Sequence, residues 1–229
     1  MVYENLNIPL VVIRNTPETE GYRSIFWERP KNFTFESGDW MELAFPGQLI
    51  SGGSVYSFSS SPNEPYLRIT FRDGISPFKK ALQLLQPGDT ILLTEYGNDY
   101  GFQLRDHGAS ILIAGGVGIA PFRSMIQEMY ETGSKNQVLL IYFDSNGEYL
   151  FADEFIKWQQ SLDGFQIYFI NTKDVKRKER ERLLKALIPK VDQRFYVSGP
   201  SGMILWTKGL LEANGVARKN IKVDDFGLY

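Results

Sequence analysis

The chain has 229 residues, a formal net charge of −2, 43% hydrophobic and 23% charged residues, no cysteine and one histidine, His107. That composition is typical of a globular domain or pair of domains, and its near-neutral charge argues against a general nucleic-acid binder. Without cysteine there can be no disulfide, no thiolate catalysis and no iron–sulfur cluster held by the chain's own thiolates, and a single histidine gives no basis for a zinc site or a hydrolase triad. Redox chemistry here would need a bound organic cofactor.

From Leu10 to Glu95 the pattern is strand after strand. Segments 11–14, 22–28, 40–45, 55–59, 66–72 and 90–95 are short, rich in β-branched and aromatic residues, and separated by Gly, Pro, Asn or Asp. Their spacing predicts a small antiparallel barrel. One helix interrupts it, Pro77 to Leu85, with Phe78, Ala81, Leu82 and Leu85 on one face and Pro87-Gly88 as its stop. No apolar run reaches the length of a bilayer span, and the opening MVYENLNIPL lacks the basic flank and apolar centre of a signal peptide. The expectation is a cytoplasmic protein with no membrane insertion.

After Gly101 the texture changes. Apolar strand cores begin near Ile111, Val138, Phe165, Phe195 and Ile221, with helical segments Pro121 to Glu131, Phe151 to Gln160, Lys178 to Ile188 and Ser201 to Asn214 between them. Regular βα alternation predicts a doubly wound parallel sheet of five strands. The expected division is a β-barrel domain over 1–106 and an α/β domain over 107–229.

The most informative stretch is 109–130. Ile111 to Ala114 read as a strand buried on both faces. Phe122, Met125, Ile126, Met129 and Tyr130 form one apolar helical stripe. Between them, Gly115, Gly116 and Gly118 permit positive φ and close backbone approach, so the turn and helix start can present N–H groups to a pyrophosphate. Pro121 stands where the usual dinucleotide fingerprint has its third glycine.

Four stretches in this order resemble the ferredoxin–NADP reductase family of flavoenzymes. Ser54-Val55-Tyr56-Ser57-Phe58-Ser59-Ser60-Ser61-Pro62 is similar to the family's Arg-x-Tyr-Ser flavin motif; Gly74-Ile75-Ser76 resembles its flavin-pyrophosphate turn; Gly115 to Pro121, including Ile119, resembles its nicotinamide-nucleotide loop; and Ser198-Gly199-Pro200 with Met203 stands where the family has Cys-Gly-Pro. The ending Asp225-Phe226-Gly227-Leu228-Tyr229 resembles the family's aromatic terminus.

The resemblance implies a flavin-binding barrel followed by a nicotinamide-nucleotide domain. Tyr56 would then lay its ring on the isoalloxazine, with Phe58 and Ser59 beside it, and the Ser57 hydroxyl would approach the flavin N5. Ser198 would orient the nicotinamide for hydride transfer, and Phe226 or Tyr229 would shield the flavin's second face. Against these stand simpler readings: Tyr56 as a core tyrosine, Ser76 as an ordinary helix cap, and Ser198 as a strand-end cap.

Two positions depart from the family. Ser54 replaces the arginine that pairs with the flavin phosphate, so Arg72, with Arg68 behind it, is the candidate substitute, and FMN in place of FAD stays open. Ser198 replaces the cysteine, which a hydride transfer does not require. For the nucleotide, Asp144 and Glu148 favour a free 2′-hydroxyl and thus NADH, while Lys173 and Arg177 could hold the 2′-phosphate of NADPH.

The resulting expectation is an NAD(P)H-dependent FAD reductase passing electrons to a separate acceptor: a ferredoxin or flavodoxin, an oxygenase component, or a small molecule. The alternatives are a flavin-binding electron-relay or regulatory subunit with little turnover, and a free-flavin reductase.

Overall fold

The computed structural model describes residues 1–50, 54–98, 100–104, 108–188 and 191–227. Its first sheet contains β1 (Val2–Tyr3), β2 (Ile8–Thr19), β3 (Tyr22–Glu28), β4 (Trp40–Ala44), β5 (Val55–Ser57), β6 (Tyr66–Arg72) and β7 (Thr90–Gly97), with helix α1 (Pro77–Leu84) before the last strand. All pairings are antiparallel, in the order β5-β4-β7-β2-β3-β6, and β1 adds to β7. Strand β2 pairs first with β7 and then with β3, and a register shift between Val12 and Arg14 marks the change of partner. Such a bulge bends the strand, which lets one strand serve two faces of a curled sheet.

The expected barrel is barrel-like rather than closed. Among the described residues a bridge from Phe58 to Ile69 and a bond from the Ser59 N–H to the Arg68 carbonyl join its free edges. Inside lie Leu10, Trp27, Met41, Phe58, Ile69 and Ile91, with Phe78 and Leu82 of α1 packed against them. Ser76 caps α1 and Pro77 opens it, where no N–H is needed. At the other end Asn15 donates to the carbonyls of Leu82 and Leu85 at 3.0 and 2.8 Å, satisfying acceptors the helix leaves open.

The second sheet contains β8 (Ala109–Gly115), β9 (Gln137–Asp144), β10 (Phe165–Asn171), β11 (Arg194–Gly199) and β12 (Ile221–Asp225), all parallel, in the order β10-β9-β8-β11-β12. Between the strands run α2 (Ala120–Thr132), α3 (Ala152–Ser161), α4 (Arg177–Leu187) and α5 (Ser201–Ala213). Leu112, Leu140, Tyr142 and Tyr196 pack with α2 and α3, whereas Ile111, Ile113, Ile141 and Val197 pack with α4 and α5. Both faces of each central strand are therefore apolar, which explains their unbroken hydrophobic runs.

The turn after β8 is tighter than a direct strand-to-helix step. A 3-10 turn, Gly116–Ile119, is inserted before α2. Only Gly116 of the three glycines takes positive φ, at 52°. Gly115 lies against the Met203 side chain and Pro200, and Gly118 against the backbone of Ser198 and Gly199. A Cβ at Gly118 would run into the Ser198 carbonyl, which belongs to the sheet and cannot swing aside. Gly118→Ala is expected to destabilise the protein by about 1–3 kcal/mol, the usual cost of overpacking. Chemical denaturation of both proteins checks this, and equal midpoints would contradict it.

Candidate functional site

The carboxyl ends of β8 and β11 diverge in connection, one strand leading to α2 and the other to α5, and this is where ligands of open parallel sheets bind. A crevice of about 220 Å³ opens there. Gly115, Gly116 and Val117 form one wall, Phe143, Asp144, Ser145, Thr172 and Arg180 another, and Pro200 with Met203 a third. Tyr22 and Arg72 of the first sheet complete it. Two arginines and a glycine turn in one crevice suit a diphosphate. Arg72, read from the sequence as a partner of the flavin phosphate, therefore lines the crevice beside the nicotinamide loop. Arg180 went unnoticed in the sequence; its Nε is buried with no partner among the described residues.

Other residues of this loop serve the fold. Ile119 and Pro121 are buried, so their side chains shape the turn. Asp144 was expected to meet a ribose hydroxyl. Its Oδ1 instead accepts from the N–H groups of Asn146 and Gly147 at 2.6 and 3.0 Å, capping the loop that follows β9. Glu148 accepts from the Glu20 N–H at 3.4 Å.

In the first sheet the expected flavin motif divides by direction. Ser57 Oγ donates to Asp224 Oδ2 at 2.8 Å, reaching across to the last strand of the other sheet. Tyr56 does not present an open face: it is 6% exposed in the core, near the rings of Phe71 and Phe78. Its hydroxyl has no partner among the described residues. Phe58 is fully buried and stacked on Phe35 at 4.1 Å, and Ser59 Oγ is bonded to Thr70 and to the Arg68 carbonyl. Both side chains are fully buried.

At the turn before α1, Ser76 Oγ accepts from the Lys79 N–H at 3.3 Å as an ordinary cap, and Ile75 is exposed. The Lys79 stem lies where a Gly74 Cβ would point, and burial followed by the nearby Arg72 holds its ammonium below the ordinary lysine range. Ser54 donates to Glu42 at 3.0 Å.

Ser198, next to last in β11, is in register with Asp224 of β12, and its buried hydroxyl also lacks a partner among the described residues. Burial pushes the Asp224 carboxyl up to about 6; Ser57 opposes that shift and Asp225 adds to it. Ser57, Ser198 and Asp224 thus gather where the two sheets meet. Asp224 had no motif to announce it; the signal was an acid inside the otherwise strand-like Ile221-Lys222-Val223 run.

Beyond it the Phe226 N–H donates to the Gly199 carbonyl at 3.2 Å, and Gly227 takes φ 77° with its N–H on Asp225. Phe226 is partly exposed beside Gly199 and Pro200. The second shield candidate, Tyr229, lies outside the described residues. Among those residues no group of three or more His, Cys, Asp or Glu side chains is placed to hold a metal, and no helix is long and apolar enough to cross a membrane.

Comparison with known proteins agrees with this geometry. Residues 112–208 match the oxidoreductase NAD-binding domain. A flavohemoprotein of Bacillus cereus is 24% identical across 95% of this chain and 60% of its own length, so the chain spans well under two thirds of that relative. The sulfhydrogenase 2 subunit gamma of Pyrococcus furiosus is 31% identical over 56% of this chain and 44% of its own. A ferredoxin NADP+ reductase from Neisseria gonorrhoeae, solved with bound FAD and NADP, superposes with a TM-score of 0.78 and 23% identity over 97% of this chain and all of that one. Residues 112–208 thus match an oxidoreductase NAD-binding domain, and the chain as a whole has the two-sheet fold of the ferredoxin NADP+ reductase it superposes on.

Proposed function

We propose that the chain takes hydride from NADH or NADPH with a bound FAD and passes the electrons to a separate acceptor, with residues 1–106 holding the flavin and 107–229 the nicotinamide nucleotide. The observation that carries this reading is the hydrogen bond from Ser57 to Asp224, which joins the flavin-type strand to the sheet bearing the dinucleotide crevice. The polar groups present fit a flavin. A buried hydroxyl without a partner, as at Ser198, costs about 1–3 kcal/mol unless a ligand supplies the missing bond. The turn 74–76 with Lys79, and Ser57, are the residues that would hold it.

Flavin, when bound, supplies the ability to accept two electrons together and release them singly. The chain's own work is binding, orientation and proton custody. Gly116 and Arg180 hold the dinucleotide phosphates, and Met203 and Pro200 close the crevice against water. Ser198 orients the nicotinamide ring. Asp224, with its raised affinity for a proton, keeps that proton one hydrogen bond from the Ser57 hydroxyl. Phe226 covers the site from the chain's end.

With no cysteine to hold an iron–sulfur cluster, any one-electron centre is on another protein or another segment. A ferredoxin, a flavodoxin, an oxygenase component or a small molecule meets that need, in the cytoplasm. A second reading, an electron-relay subunit of a larger complex, is favoured by the likeness to the sulfhydrogenase gamma subunit. The Ser54 to Glu42 contact, standing where a phosphate-binding arginine would be, also favours a loosely held flavin, FMN included, as in a free-flavin reductase.

Anaerobic mixing with NADH and with NADPH separates these readings. A flavin spectrum that bleaches within seconds is expected of the reductase; a bound flavin that stays yellow would favour the relay subunit, and flavin lost on gel filtration the free-flavin enzyme. Arg180→Gln is expected to raise the KM for the nucleotide about tenfold, the scale of a lost charge-assisted bond, with flavin content unchanged. A larger loss with NADPH than with NADH would assign Arg180 to the 2′-phosphate. For Asp224 the folded value lies above the ordinary carboxyl value, so the native state binds the proton more tightly. Its stabilising influence is complete at low pH and disappears as pH rises from about 4 through about 6, on the order of 2–3 kcal/mol in all. Asp224→Asn should flatten that part of the stability profile, as read by denaturation at successive pH values; an unaltered slope would contradict the assignment.

A further inference from the structure

Helix α2 carries the nicotinamide loop at its start, and one turn in stands Arg123, 2% exposed. Every N–H of its guanidinium fork is engaged. Nε and Nη2 bond both oxygens of Glu154 at 2.7 and 2.8 Å, while Nη1 and Nη2 bond both oxygens of Glu64 at 3.0 and 3.2 Å. Nη1 also donates to the main-chain carbonyl of Ser59 at 2.6 Å. Glu154 belongs to α3 in the same sheet layer, but Glu64 and Ser59 belong to the other sheet's segment. Next to Arg123, Ser124 Oγ donates to the Ser60 carbonyl at 2.7 Å. Further along α2, Glu131 meets the Ser61 hydroxyl and Glu128 meets Ser37.

Glu64 is itself fixed. Its carboxylate accepts from the Ser61 N–H and the Tyr66 hydroxyl, both at 2.7 Å. Burial works against its charge, yet Arg123 and these donors hold it below the ordinary carboxyl range. The serine run Ser59 to Ser61 is thereby fastened to α2 through main-chain atoms on one side, and continues directly into Ser57 on the other.

Such an arrangement is a poor way to gain stability. Buried ion pairs recover their desolvation cost only with excellent geometry, and an apolar replacement often does as well. A planar fork with five directed bonds gives orientation instead. We propose that Arg123 is a positioning residue for hydride transfer: it sets the distance between the Ser57 strand and the nicotinamide loop by locking both to the first turns of α2. This rests on the hydride transfer proposed above. Transfer rates respond steeply to such placement, with about 1 Å of misplacement able to cost on the order of a hundredfold.

The test is Arg123→Lys in the full chain, which keeps the charge and loses the fork. At saturating NADH or NADPH under anaerobic conditions, flavin reduction should slow by about tenfold or more, while nucleotide affinity and flavin content stay within about threefold of the parent. The primary isotope effect with 4-deuterated nucleotide should rise as the transfer step becomes limiting. Without any nucleotide, amide hydrogen exchange at Ser59 to Ser61 should accelerate. A loaded variant that reduces flavin within twofold of the parent overturns the proposal, as does unchanged exchange at those amides. If Arg123→Lys does not fold, Ser124→Ala removes one bond of the same joint; slower reduction with unchanged affinity is expected, and an unchanged rate overturns the proposal. Failure of the parent protein itself to accept hydride would instead overturn the function on which this rests, and the exchange measurement then still reports on the joint.

Discussion

The structure depends on one contact line, the face of α2 pressed against the 59–64 segment of the first sheet. Each sheet has its own apolar interior and could be described without the other. A polar seam relates them, besides the bond from Ser57 to Asp224: Arg123 and Ser124 of α2 donate to the carbonyls of Ser59 and Ser60, and Arg123 to Glu64. Apolar contacts tolerate sliding because they have no preferred direction. Hydrogen bonds to main-chain carbonyls do not slide, since the acceptors are fixed to the strand. For the hydride transfer proposed above, which needs two rings held together, the second kind of contact is the more useful.

The seam also explains the serine run. Read along the sequence, Ser59-Ser60-Ser61 after Tyr56-Ser57 looks like an extended cofactor surface. In three dimensions those serines are fully buried, and their carbonyls and hydroxyls face α2 and the neighbouring strand. Small hydroxylated residues are what such a seam needs, because they let main-chain atoms approach and satisfy donors without bulk.

The legible part of this chain was the part written in local patterns. Alternation and turn residues announced the strands of the first sheet, and unbroken apolar runs at regular spacing announced the parallel one. The glycine turn after β8 was visible as well, though local reasoning assigned all three glycines to ligand approach, whereas Gly118 answers to the Ser198 backbone and Gly115 to Met203. Residues whose meaning lies in a distant partner were silent. Arg123 sits 59 positions from Glu64, and Asp224 lies 167 positions from Ser57. Asp144 has a local role that a longer-range argument overlooks: N–H groups two and three residues on bond its Oδ1, while the residue itself lines the crevice.

Arg123 and Asp224 show how one constraint, burial of charge, leads to two outcomes. Desolvation disfavours the charged form of both. At Arg123 the bonds and charges of Glu154 and Glu64 outweigh that cost and hold the guanidinium above its ordinary value, so the charge is permanent and its role is geometric. Asp224 has one hydrogen bond from Ser57 and a second acid beside it, so the cost is not recovered and the carboxyl moves toward neutrality. A group balanced near neutral pH can take up or give a proton without a large penalty either way. A saturated ion at the seam and an unsaturated acid at the meeting of the strands therefore divide the work: the first supplies a fixed frame, and the second an ionisation that can change within it.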